Sequence, residues 1–113
     1  LSNYVSIIES TNNLNEIFFR ADLYVHTSFY EGFPNVIAES IANRTYCIST
    51  PSSSSLKDII FDVKYGYILK TFDRDELSNQ ILKSLDLSVF DNSRFINKYF
   101  IDNYGVNFLN LFK

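Results

Sequence analysis

The feature that most constrains this chain is an alternation. Three short β-rich runs, Leu23-Tyr24-Val25-His26, Tyr46-Cys47-Ile48-Ser49 and Tyr67-Ile68-Leu69, are separated by segments with helical signals. Strands joined through helices pair in parallel, because a parallel connection must carry the chain back across the sheet. The pattern therefore predicts an α/β fold with a parallel sheet covered on both faces. Val5-Ser6-Ile7-Ile8 alternates weakly and reads as one more strand at the start. Helices are predicted after a cap at Thr11 or Asn12, with Leu14, Ile17 and Phe18 on one side, from Pro34 to about Asn43, and from about Leu56 to Phe61. Asp73 caps a fourth that carries Leu77, Ile81, Leu82 and Leu85 at helical spacing. From about Asp91 the chain is helical and aromatic (Phe95, Tyr99, Phe100, Phe108, Phe112), with an interruption near Gly105.

Totals narrow the function classes. With 113 residues, 46% hydrophobic and 20% charged, the chain fits one compact domain. It opens on Leu1 without a signal-peptide pattern, which reads as a segment of something longer. Net charge is −3 and Lys and Arg never cluster, so the counterion-release affinity for nucleic acid or anionic lipid is missing. The single cysteine, Cys47, has no partner for an internal disulfide or a zinc site, and it reads as a core residue in a reducing compartment. No apolar stretch approaches the roughly 20 residues needed to cross a bilayer. The expected location is cytoplasmic, with at most peripheral membrane contact.

In open parallel sheets ligands sit at the carboxyl ends of the strands, which directs attention to Thr27–Asn35 and Thr50–Ser55. The run Ser28-Phe29-Tyr30-Glu31-Gly32-Phe33-Pro34-Asn35 joins a strand to a helix. Gly32 allows close backbone approach to a ligand or a positive φ. Beyond Pro34, the first N–H groups of the helix, on Asn35, Val36 and Ile37, have no partner within it and favour an anion together with the helix dipole. Asn35, Glu39 and Asn43 fall on one polar stripe, while Ile37, Ala38, Ile41 and Ala42 form the apolar one. Glu31 and Glu39 can thus border one crevice. Near a diphosphate such acids engage hydroxyls, since they repel the phosphates.

Glu31 and Glu39, embedded in Glu-Gly-Phe-Pro-Asn-Val-Ile-Ala-Glu, resemble the E-x7-E motif of retaining GT-B glycosyltransferases of family 4. Ala21-Asp22-Leu23-Tyr24-Val25 resembles the strand before that motif, Ser28 and Tyr30 match its approach, and Tyr46-Cys47-Ile48-Ser49-Thr50 resembles the strand after it. Gly66-Tyr67-Ile68-Leu69 and Asp73–Leu85 look like the family's last strand and following helix, so the likeness spans about residues 4 to 87. The resemblance implies a Rossmann-like sheet, part of the C-terminal domain of a GT-B fold. Residues 21–70 would hold the motif core and 73–113 a helical C-terminal region. It implies Glu31 as the catalytic residue at the transferred sugar, and Gly32, Phe33, Pro34, Asn35, Val36 and Glu39 as donor-binding residues, with Glu39 on the ribose. No metal and no cofactor are implied. The partners would be a nucleotide-sugar, with a UDP-sugar favoured, and a saccharide or lipid-linked saccharide acceptor bound through an N-terminal domain upstream of Leu1. Transfer of a hexose or N-acetylhexosamine in polysaccharide or lipopolysaccharide synthesis follows from the same resemblance.

Two departures keep a rival reading open. Family members usually have Gly and Pro after the motif helix, where this chain has Arg44 and Tyr46, so either Arg44 turns left-handed or Asn43 ends the helix. The strands and basic residues that clamp the diphosphate would also lie upstream of Leu1, leaving a gap in the sheet and a segment inactive by itself. The alternative is a non-catalytic α/β interaction module or an inactive remnant of such an enzyme. Elsewhere the plain interpretation is preferred: His26 packs at a sheet face, Ser52–Ser55 form a polar loop, Lys57 and Asp58 are an exposed helix pair, and the terminal aromatics pack in a core or between domains.

Overall fold

The computed structural model describes residues 3–102. The elements run α1 (Leu14–Arg20), β1 (Leu23–His26), α2 (Asn35–Ala42), β2 (Tyr46–Ser49), α3 (Leu56–Ile59), β3 (Gly66–Ile68), α4 (Arg74–Ser84) and α5 (Ser93–Ile96), which continues as a π-helical segment, Asn97–Asp102. The strands lie in the order β1-β2-β3, all parallel, with Leu23 opposite Tyr46 and Cys47 opposite Gly66. The fold is the predicted α/β one, a Rossmann-like parallel sheet with flanking helices.

Strand alternation sorts the side chains. Tyr24, Cys47 and Ile68 belong to one face, where they meet a core of Ile37, Ala38 and Ile41 from α2, Leu56 and Ile59 from α3, and Tyr65, Phe95 and Tyr99. Ile48 and Tyr67 belong to the other, where α4 packs against β2 and the Tyr67 hydroxyl donates to Glu76 Oε1 at 3.1 Å. The predicted apolar stripe of α2 is therefore the buried one, and Asn35, Glu39 and Asn43 lie on its more open side. Asn92 fastens α5 to α2 by donating from Nδ2 to the Ile41 and Ala42 carbonyls, two acceptors the ending helix cannot pair itself.

Close approach explains one glycine. A Cβ built on Gly66 would stand 2.3 Å from the Cys47 carbonyl oxygen, so the β2–β3 pairing excludes any side chain there. The end of α2 resolves the alternative left open by the sequence. Thr45 N–H bonds to Ser40 O and Arg44 N–H to Ile41 O, a Schellman arrangement that puts Arg44 at φ 63°. A non-glycine residue held there costs about 1–2 kcal/mol.

Several expectations need correction. Val5–Ile8 is not a strand: these residues are exposed and have no ladder partner among the described residues, and without a neighbour an extended segment gains nothing over water. The first helix is capped at Asn13 rather than Thr11 or Asn12, although Thr11 Oγ1 accepts from Asn13 N–H at 3.0 Å. Pro34 occupies the N-cap of α2, not its first turn. Leu82 and Leu85, counted as one apolar stripe of α4, are 62% and 65% exposed. Phe95 and Tyr99 join the core as expected, whereas Gly105, Phe108 and Phe112 lie outside the described residues.

Candidate functional site

The two loops singled out by the sheet rule meet at the carboxyl ends of β1 and β2. Glu31 N–H donates to Ser52 O at 2.9 Å, Ser53 Oγ to Gly32 O at 2.6 Å, and Ser55 Oγ to the same oxygen at 3.2 Å. Thr50 adds a bond from Oγ1 to Ser28 O at 2.5 Å. The serine loop is thus a brace for the Glu31–Gly32 bend. Ser53 and Ser55 spend their hydroxyls on the Gly32 carbonyl, whereas Ser52 Oγ is buried without a hydrogen-bond partner among the described residues.

The bend itself is open. Gly32 and Phe33 are exposed, and a Cβ on Gly32 would meet nothing within 4 Å. Gly32 does not use the positive-φ option, so no strain inside the chain demands glycine there. Of the three amides expected to be unpaired, Asn35 N–H turns back to Phe33 O at 2.9 Å and Ile37 N–H to Pro34 O at 3.0 Å. Only Val36 keeps its N–H without a partner, and Gly32 N–H is likewise unpaired among the described residues. The anion cradle is therefore narrower than the helix rule alone suggests, because a proline at the N-cap lets the chain bond back on itself.

Glu31 is fixed on one edge. Ser28 Oγ donates to its Oε1 at 2.8 Å, and His26 Nε2 lies 3.6 Å from the same oxygen. Glu39 is half-buried on α2, and burial raises its carboxyl above the usual range. Both acids bear on one phenol: Tyr24 is pushed up by burial first, then by Cys47, Glu31 and Glu39. A cavity of about 230 Å³ lies at the strand ends, lined by Thr27, Phe29, Thr50, Leu69, Phe72 and Leu77 with Asp73 and Arg74; none of Glu31–Glu39 lines it. Phe29 and Phe72 stand against each other at its edge, with ring centroids 5.2 Å apart.

His26 is the residue that the sequence reading undervalued. It is the last residue of β1, it is buried, and Nδ1 lies 2.9 Å from the Tyr24 hydroxyl. Burial lowers its pKa, with Glu31 pulling the other way, so the ring is neutral at neutral pH and 3.6 Å to Glu31 is not an ion pair. The available signal was strand parity, since Tyr24 and His26 share a face and the loop carrying Glu31 begins at once. Cys47 is in the core, and burial raises its thiol strongly. Lys57 and Asp58 are exposed, as expected of a surface helix pair.

No helix among the described residues is long and apolar enough to cross a membrane. No curated protein matches the chain. The family model described as glycosyl transferases group 1 matches residues 1–99 of the 113, and with that match the chain belongs to the group 1 glycosyltransferases.

Proposed function

We propose that these residues hold the nucleotide-sugar donor of a retaining glycosyltransferase, with Glu31 at the transferred sugar and Glu39 at the ribose. The observation that carries this reading is the open Gly32 backbone set between two acids, with the Gly32 and Val36 N–H groups free to meet a diphosphate. Glu31 offers Oε2 to a sugar hydroxyl while Ser28 holds Oε1. Glu39, partly desolvated, gains most from a hydroxyl donor, because a hydrogen bond to a carboxylate strengthens as water is excluded. Stabilising the charge that develops on the leaving diphosphate is the main catalytic contribution in this reading, and no metal is required. A UDP-sugar and a saccharide or lipid-linked acceptor follow from the E-x7-E resemblance, as do family 4 membership and a GT-B partner domain.

The second reading is a non-catalytic module or an inactive remnant. Arg44 and Tyr46 favour it, since they stand where family members usually have Gly and Pro after the motif helix, and Arg44 takes the left-handed position that glycine would fill without strain. Titration with UDP and UDP-sugars, followed by NMR, separates the two. Shifts confined to Glu31–Glu39 support the donor site, and a folded protein that does not respond to either ligand supports the remnant.

A further inference from the structure

We propose that His26 is a positioning residue for Glu31: its Nε2–H steers carboxylate atom Oε1, leaving Oε2 turned toward the donor sugar. This rests on the donor reading of Glu31. Nε2 is buried and has no hydrogen-bond partner among the described residues, an uncommon state for a polar atom inside a protein, and the nearby acceptor is Glu31 Oε1 at 3.6 Å. That separation is too long for a hydrogen bond, and contacts of this kind commonly tighten when a ligand closes the site. In the tautomer we assign, the Tyr24 hydroxyl donates to Nδ1 and the single hydrogen of the neutral ring sits on Nε2, where it faces the Glu31 acceptor. Once that contact closes, Tyr24, His26 and Glu31 form one chain of donors and acceptors, beside the bond that Ser28 already makes to Oε1. Of the titratable groups among the described residues, Tyr24 and Glu31 are the two that bear directly on the ring.

His26 is the only histidine in the sequence, so its imidazole nitrogens can be read without assignment ambiguity. In the full chain, ¹⁵N spectra are expected to show Nε2 protonated and Nδ1 bare, and Glu31→Gln is expected to move the His26 titration to lower pH. A proton on Nδ1, or a titration indifferent to Glu31→Gln, overturns the proposal. The functional test compares UDP-N-acetylglucosamine with UDP, because a residue acting through Glu31 affects the sugar and not the nucleoside diphosphate. His26→Asn is expected to shrink the affinity gap between the two ligands by roughly tenfold. His26→Gln, whose amide nitrogen reaches the Nε2 position, is expected to retain it. An unchanged gap in His26→Asn refutes the positioning role. Wild-type protein that binds neither ligand refutes the donor reading instead, and the tautomer and titration still decide whether His26 steers Glu31.

Discussion

The two faces of the sheet are held by different means. On the α2 side, Ile37, Ile41, Leu56, Ile59, Tyr65, Phe95 and Tyr99 are almost wholly excluded from water, with aromatic contacts such as Phe95–Tyr99 at 4.7 Å between centroids. On the α4 side, the helix has a single buried residue, Ser84, and shows much of its apolar stripe to solvent. Helix α4 is held chiefly by its N-terminus. Asp73 accepts from Asp75 and Glu76 N–H groups, and the Glu76 carboxylate reaches back to the Lys70 and Thr71 N–H groups and the Tyr67 hydroxyl. Those bonds, led by the one from Lys70, keep the Glu76 carboxyl below its ordinary range. Helical spacing therefore specifies a helix on either face, but it does not specify how much of the helix is buried.

Mutations can break that comparison. Phe95→Ala removes a fully buried ring from the α2 side and is expected to cost about 3–5 kcal/mol, enough to abolish a cooperative urea transition in a small domain. A loss under about 1 kcal/mol would mean that this side is not the dominant core. Gly66→Ala forces a methyl group toward a backbone oxygen, and about 1–3 kcal/mol is expected from the shift it imposes on β3. An unchanged thermal midpoint would show that β3 is not held at this register. Asp73→Ala is expected to cost about 1 kcal/mol, read as faster hydrogen exchange confined to Arg74–Ser84. Spread of that effect into α2 would show the two faces to be coupled.

Glu39→Gln is the smallest change and has the opposite sign. Because burial raises the folded-state pKa of Glu39, its contribution to stability is complete below the unfolded carboxyl value and declines as pH rises through the folded one. The Gln variant should therefore unfold at a slightly higher temperature than wild type near neutral pH, and the difference should vanish on acidification below about pH 4. Stabilisation at neutral pH joined to weaker binding of a UDP-sugar is the expected signature of an acid kept for a ligand. A neutral-pH loss of stability would instead make Glu39 structural.

How much was legible depended on whether the deciding contact was local. The strands at Leu23–His26 and Tyr46–Ser49, the Asp73 cap and the polar and apolar stripes of α2 all follow from residues a few positions apart. Val5–Ile8 has the composition of a strand, but composition cannot provide the neighbour that a strand requires. Ser52–Ser55 read correctly as a polar loop, while its grip on Gly32 O joins residues more than twenty apart and has no local signature. Its strand position assigns His26 to packing. It is packed, but its unpaired nitrogen faces Glu31, and that juxtaposition exists only once β1 and the following loop are folded together.

From its residue order alone, this chain determined alternating strands and helices, a parallel sheet and a glycine-bearing bend between two acids, because periodicity, capping and turn chemistry act over a few residues. The tertiary structure decided the rest. Which amides stay unpaired, that Arg44 takes the left-handed position, that Gly66 lies under the Cys47 carbonyl and that His26 stands before Glu31 are set by contacts between distant segments. Such contacts depend on backbone geometry in space, which no local pattern of side chains encodes.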